Sequence, residues 1–319
     1  MRLVTYLQGS KKKVGVLLSD WLVDLQAAHD YLVINRLVPE DQPVPEGSFP
    51  DSMVAYLADN SPLKELARGT AAAIQARLPA AVEPLLSEGV LRPFGQAVLL
   101  PPVPNPGKLI CVGMNYPSAS FGEQPKPGYP TLFLKSASTL TGHRQPIQLP
   151  QVSAEVFCEG ELAVVIGKQG KHIPVEAAYT YIAGYTVAND VGARDLEQRT
   201  SQWATGKLPD TFCPMGPAVV TPDEIRDPAS LTIRTSVNGT CILSGNTQEM
   251  FFGVADLISY ISSLATLVPG DIILTGSPKK VADQPAPVVY LQPGDQVSIE
   301  IEKIGVLSNH TISEELTNA

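Results

Sequence analysis

Residues 158–167 read CEGELAVVIG. The second half of this stretch is apolar and β-branched, as the start of a buried strand is. Its entrance carries Glu159 and Glu161, two residues apart. Side chains alternate faces along a strand, so both carboxylates point to one side, about 6.6 Å apart along the chain. At an effective dielectric of about 20 they repel by roughly 2.5 kcal/mol. Protonation of one acid, a basic partner or a cation must offset that repulsion. A third acid, Asp190, ends a similar run, YTVAND (185–190). Three oxygen donors of this kind suit Mg2+ or Mn2+, and Ca2+ accepts the same ligands, with water or substrate completing the shell. From spacing alone, solvent-facing acids at a strand end are the commoner arrangement.

Outward from this stretch, the chain beyond Lys108 consists of short apolar runs separated by Gly and Pro. LICVGMN (109–115), TLFLKS (131–136), MGPAVVT (215–221), LTIRTSVNG (231–239), DIILTG (271–276) and QVSIEIEKIG (296–305) all read as strands. Pro-Gly-Asp occurs at 269–271 and 293–295, each time opening a strand. Apolar residues at 257, 258, 261, 264 and 267 predict a helix that Pro269-Gly270 ends. A second helix is expected from Ala193 toward Trp203. Helices do not alternate with strands, which argues against a doubly wound sheet.

The first 96 residues have a different texture. RLVTYLQ (2–8) and VGVLLSDWLVDL (14–25) predict strands, and 27–37, 52–60 and 62–78 carry helical spacing. Pro101, Pro102, Pro104 and Pro106 then fall within six positions. The expected organisation is a small α+β domain (1–96), a Pro-rich linker (97–107) and a larger, mostly β domain (108–319), giving an α+β protein overall.

A net charge of −9 and a pI of about 5.0 disfavour nucleic acid and anionic membrane surfaces as partners. The N-terminus MRLVTYLQGSKKK has no apolar core of signal-peptide length. The cysteines at 111, 158, 213 and 241 form no CxxC pair, so reduced, mostly buried thiols of a cytoplasmic protein are expected.

CEGELAVVIGKQG, GYTVANDVGARDLEQR, GKLPDTFCPMGP, VNG and PGDIILTGSP, in this order, resemble the fumarylacetoacetate hydrolase family. ICVGMNY and TLFLKS fit too, and the N-terminal unit resembles the small domain of two-domain members. The resemblance covers about residues 105–310. It implies a mixed-β fold, a homodimer, and one divalent metal per subunit held by Glu159, Glu161 and Asp190. It also implies cleavage of a C–C bond in a small 2-oxo or β-dicarbonyl carboxylate, by hydrolysis or decarboxylation through a metal-stabilised enolate.

Other positions follow from the same match. Lys207 in GKLPDTF would stabilise developing negative charge. Lys135, ending an apolar run, either snorkels or is directed at the acids. Arg194 would clamp a substrate carboxylate or pair with Asp195 or Glu197. Tyr116, Thr275 and Ser277 fall where the family contacts substrate, although Lys279-Lys280-Val281-Ala282 replace its Gly-rich turn.

The largest departure is in MNYPSASFGEQPKPGYP (114–130). The family's water-activating histidine and glutamate correspond to Ala119 and Gly122, and Glu123 can serve only if the loop shifts by one residue. His143 reads as structural, and His29, His172 and His310 offer no evident replacement. Three readings follow. The first is a hydrolase drawing its base from Glu123, a metal-activated water or the small domain. The second is a decarboxylase or keto–enol isomerase, which needs no attacking water. The third is a metal- and oxo-acid-binding member without turnover.

Overall fold

The computed structural model describes residues 1–37, 49–58, 63–117, 126–281, 284–285 and 289–315. The N-terminal unit contains β1 (Arg2–Gln8), β2 (Lys11–Leu18), β3 (Trp21–Asp24), α1 (Leu25–Ile34), α2 (Met53–Ala58), α3 (Leu63–Gln75), α4 (Leu78–Ser87) and β4 (Leu91–Pro93). Asp24 caps α1 by accepting from Ala27 N at 3.0 Å. The helical signal of α4 is weak in sequence because Pro84 lies inside it and Ala81 departs from helical backbone.

The remainder contains β5 (Leu109–Gly113), β6 (Thr131–Leu134), β7 (Leu140–Thr141), β8 (Pro146–Leu149), β9 (Val156–Phe157), β10 (Gly160–Ile166), β11 (Ile182–Asn189) and β12 (Gly192–Ala193). Then come α5 (Arg194–Glu197), α6 (Ala204–Lys207), β13 (Cys213–Val220), β14 (Thr232–Val237), β15 (Thr240–Asn246) and α7 (Val254–Leu264). The last strands are β16 (Ile272–Leu274), β17 (Lys280–Val281), β18 (Gln284–Pro285), β19 (Gln296–Ile301) and β20 (Gly305–Ser313). Of the helix expected from Ala193 toward Trp203 only α5 forms, and α6 begins beyond it at Ala204. Between them Thr200 Oγ1 accepts from Gln202 N and donates to Gln202 O, a local turn that competes with helix.

The fold is α+β, with mixed sheets and few helices. Among the described residues the larger sheet runs β4-β3-β2-β1-β13-β11-β10-β16-β5-β6, with β7 off this path on β13. Leu3 of β1 pairs with Val219 of β13, so the N-terminal strands extend the same sheet. The Pro-rich segment lies along β1. Leu7 N donates to Val98 O and Leu100 N to Thr5 O, each at 3.0 Å, and Thr5 Oγ1 reaches Pro102 O. The second sheet runs β15-β14-β19-β20-β8.

The central strands are covered on both faces. Leu162, Val164 and Ile166 pack with Ile233, Ile299 and Ile301 of the second sheet and with Leu257, Ile258 and Ile261 of α7. Ala163 and Val165 point the other way and share a core with Met53, Tyr56, Ala67 and Ala71 of the N-terminal helices. Burial on two faces explains why LAVVI is continuously apolar. The Pro-Gly-Asp turns use one device twice. Gly270 (φ +86°) and Gly294 (φ +94°) take the left-handed turn position. Asp271 Oδ2 then accepts from Val268 N at 2.8 Å, and Asp295 Oδ2 from Gln292 N at 2.7 Å. No described helix is long and apolar enough to cross a membrane.

Candidate metal and substrate site

Strands β10 and β11 pair antiparallel, with Gly160 opposite Asn189 and Glu161 opposite Ala188. The ladder continues past the strand ends, where Asp190 N donates to Glu159 O at 2.8 Å. Alternation places Glu159 and Glu161 on the face of Ala163 and Val165, and Asp190 on the face of Ala188. Glu159, Glu161 and Asp190 each offer a carboxylate oxygen, and these lie within 4.8 Å of one another. Gly160 faces the other way, against the second sheet. A Cβ there would sit 2.3 Å from Thr235 Oγ1 and 2.7 Å from Ile299 Cγ2. The Glu-Gly-Glu spacing therefore joins a close sheet contact on one face to two acids on the other.

Two unit charges about 5 Å apart at a dielectric of about 20 repel by roughly 3 kcal/mol, so three ionised carboxylates would repel by about 10 kcal/mol in total. The site responds unevenly. Burial, then the charges of Asp190 and Glu159, push the Glu161 carboxyl well above the usual carboxylate range. Burial alone would raise Glu159 too, but the ammonium groups of Lys207 and Lys279 outweigh it and hold that carboxyl well below its usual range.

Lys135 does not snorkel. Its fully buried ammonium donates to Asp190 Oδ1 at 2.7 Å, Phe212 O at 2.8 Å and Val191 O at 2.9 Å, which uses all three N–H groups. Lys207, from α6, donates to Glu159 Oε2 and Asp190 Oδ2, both at 2.8 Å, and to Asp190 O at 2.9 Å. Burial would lower the Lys207 ammonium, but Asp190, Glu159 and Glu197 hold it above its ordinary value. Lys279, read in sequence only as a departure from a Gly-rich turn, donates to Glu159 Oε1. Glu197 is a second group that sequence reading did not bring to the site. Its Oε2 accepts from Arg194 Nη1 at 2.7 Å and its Oε1 lies 3.8 Å from Lys207 Nζ. Its signal was the i, i+3 spacing from Arg194. Burial raises its carboxyl despite Lys207 and Arg194.

Arg194 pairs with Glu197 and lies over the Phe157 ring at 4.2 Å. Thr275 Oγ1 donates to Leu162 O at 2.9 Å, and Gly276 N donates to Glu161 Oε2 at 2.7 Å, so the loop after β16 is bound to the acid-bearing strand. Ser277 is buried, with its hydroxyl 3.4 Å from Pro278 O. Tyr116 is buried, its hydroxyl has no hydrogen-bond partner among the described residues, and burial, then the Glu161 charge, keep it protonated. Asn115 donates to Thr275 O and Phe252 O and accepts from Phe252 N, pinning three segments. Glu123, Ala119 and Gly122 lie outside the described residues.

All four histidines have other surroundings. His29 is buried in α1 against Phe49. His143 stacks on Phe94 and accepts from Ser308 N. His172 is exposed, and its backbone N–H donates to Ser262 O. His310 lies on β20 of the second sheet. None is among the hydrogen-bond or ion-pair partners of the three acids.

A cleft of about 330 Å3 opens onto Glu159, with Arg194, Gln198 and Lys279 as polar lining and Phe157, Leu243 and Val289 among its apolar walls. The donor set fits a divalent cation. Three hard oxygen ligands converge, each with an oxygen within 4.8 Å of the others, and burial followed by the Asp190 and Glu159 charges disfavours an ionised Glu161 that has no cation beside it.

A family profile described as fumarylacetoacetate (FAA) hydrolase C-terminal matches residues 108–312. A mitochondrial oxaloacetate tautomerase of Homo sapiens is 42% identical over 268 residues, covering 83% of this chain and 81% of its own. A maleylpyruvate hydrolase from Sphingobium sp. SYK-6, solved with manganese(II) and pyruvate, superposes with a TM-score of 0.71 at 29% identity, covering 99% of this chain and 100% of its own. A 5-carboxymethyl-2-hydroxymuconate delta-isomerase from Mycobacterium smegmatis superposes with the same TM-score, identity and coverage.

Proposed function

We propose that this chain, which belongs to the fumarylacetoacetate hydrolase family, catalyses the keto–enol interconversion of a small 2-oxo acid at a divalent-cation site. The carrying observation is that Lys207 Nζ bridges Glu159 and Asp190 beside a third carboxylate while, among the described residues, no histidine is a hydrogen-bond or ion-pair partner of the three acids. A keto–enol shift moves one proton from carbon to oxygen and consumes no water, so it needs no water-activating imidazole. The tautomerase name carried by the human relative supports the same reaction.

Glu159, Glu161 and Asp190 would hold the cation, Mg2+ or Mn2+. Such a cation supplies Lewis acidity toward the oxo and carboxylate oxygens of the substrate. The chain's own groups do the rest. The permanently charged Lys207 favours negative charge on the substrate oxygen as the neighbouring carbon loses its proton. Lys135 holds the Asp190 carboxylate in place from behind. Tyr116 offers a hydroxyl that has no partner among the described residues, and Arg194 offers a fork to a carboxylate. Thr275 and Ser277 shape the loop over the acids. A homodimer is proposed on the family resemblance.

Cleavage of a C–C bond is the second reading, favoured by the likeness to the manganese- and pyruvate-bound hydrolase. It would draw its base from Glu123 or from a metal-activated water. One experiment separates the two. Mg2+- or Mn2+-loaded protein is given oxaloacetate, and the enol absorbance, CO2 and new carboxylic acid are followed together. Faster keto–enol relaxation without CO2 or a new acid is expected. Product formation with no change in relaxation rate would overturn the tautomerase reading.

A further inference from the structure

We infer that Lys279 sets substrate specificity by receiving the distal carboxylate of a 2-oxo dicarboxylate. The inference rests on the oxo-acid reading above and adds to it the residue that receives the second carboxylate of an oxaloacetate-like substrate. Its basis is the pairing of charges. The site gathers four acids, Glu159, Glu161, Asp190 and Glu197, and four bases, Lys135, Arg194, Lys207 and Lys279. Fully ionised, these sum to zero, and a divalent cation makes the site doubly positive. A dicarboxylate returns the balance to zero, whereas a monocarboxylate leaves one positive charge inside a partly dehydrated cleft.

The pairings also indicate which base is left over. Lys135 has Asp190 and the carbonyls of Val191 and Phe212, and Lys207 has Glu159, Asp190 and the Asp190 carbonyl, so both keep backbone partners when the acids turn to a cation. Arg194 has Glu197. Among the described residues, Lys279 has Glu159 as its one hydrogen-bond and ion-pair partner. If Glu159 turns its oxygens to a cation, Lys279 is the ammonium left without a hydrogen-bond partner among the described residues. It is also placed to use a new one. Its side chain is 34% exposed, it lines the cleft with Arg194 and Gln198, and a four-carbon stem lets the ammonium follow a ligand. The cleft volume, about 330 Å3, is at the small end of ligand pockets.

The test compares two ligands that differ in the distal carboxylate. Oxaloacetate and pyruvate are titrated by calorimetry into Mn2+-loaded protein, native and Lys279→Met, and Mn2+ affinity is measured on the ion-free forms. Loss of one charge-assisted contact predicts that Lys279→Met weakens oxaloacetate at least about tenfold and pyruvate less than about twofold. Mn2+ affinity should be equal or higher, because a competitor for Glu159 is gone. Lys279→Arg should retain most of the discrimination. Equal weakening of both ligands, or of neither, overturns the inference, as does a loss of Mn2+ affinity in Lys279→Met. If discrimination holds but keto–enol relaxation is unaffected by the protein, the proposed activity fails and the role of Lys279 stands.

Discussion

Lys135 Nζ lies 2.7 Å from Asp190 Oδ1, on a side chain that no solvent reaches. The pair sits beneath the acidic cluster, so Asp190 presents its other oxygen, Oδ2, toward Lys207. Removing one partner of a buried pair leaves the other charge uncompensated, at a cost of roughly 3–5 kcal/mol. Lys135→Met is therefore expected to destabilise the ion-free protein by that order in denaturant unfolding. Saturating Mn2+ should restore part of the loss, because the cation supplies the counter-charge. Stability equal to the parent would show that Asp190 finds another partner.

Glu161 gives the opposite expectation. Its carboxyl is driven upward by burial and by its two acidic neighbours, so ionising it costs stability without a cation. Glu161→Gln removes that charge and keeps an oxygen for the Gly276 N–H. The ion-free variant should melt at the parent temperature or above it. Mn2+ at a hundred times its dissociation constant stabilises a native protein by about 2.7 kcal/mol, and the variant should lose most of that increment. Parent protein whose melting ignores both Mg2+ and Mn2+ would remove the metal assignment.

Gly160 tests the two-sided reading of the central strand. A methyl group at this position meets Thr235 Oγ1 and Ile299 in the second sheet. Gly160→Ala should cost about 1–3 kcal/mol by overpacking. The strain moves the segment between the two glutamates, so cation affinity should fall as well. Calorimetry beside chemical unfolding checks both. A destabilised variant with full cation affinity would uncouple the sheet contact from the acids.

The central strand and its acids were legible because alternation is a strictly local rule. CEGELAVVIG alone places Glu159 and Glu161 on one face, and YTVAND repeats the pattern for Asp190. The paired Pro-Gly-Asp turns were legible for the same reason. What local rules miss is assembly. Lys279 reads as a loop residue, and its contact with Glu159 exists only because β16 pairs with β10 at Ala163 and Leu274. Glu197 was visible only as a partner of Arg194, because its approach to Lys207 requires α6 to fold back on α5. The Pro-rich segment reads as a spacer. Its packing along β1 depends on carbonyl groups, which proline keeps, and on the N–H of Leu100, which precedes the prolines.

His143, structural by sequence, is a buried imidazole. Burial, assisted by Arg144, lowers its imidazole to about 4, while Nδ1 accepts from Ser308 N and the ring stacks on Phe94. The folded form therefore favours the neutral ring, and the unfolded chain protonates near pH 6.5. A group depressed on folding contributes stability that is present above its unfolded value and lost as pH falls toward its folded one. The window is pH 6.5 to 4, and a shift of this size corresponds to about 3 kcal/mol. The buried Asp24 carboxyl, which is lowered on folding, loses its contribution below this window. Unfolding free energies of the parent and of His143→Gln should therefore converge between pH 7 and 4, the parent falling more steeply by about 3 kcal/mol. Parallel curves would mean that His143 titrates alike in the folded and unfolded chain, so that neither burial nor the bond from Ser308 N favours its neutral ring.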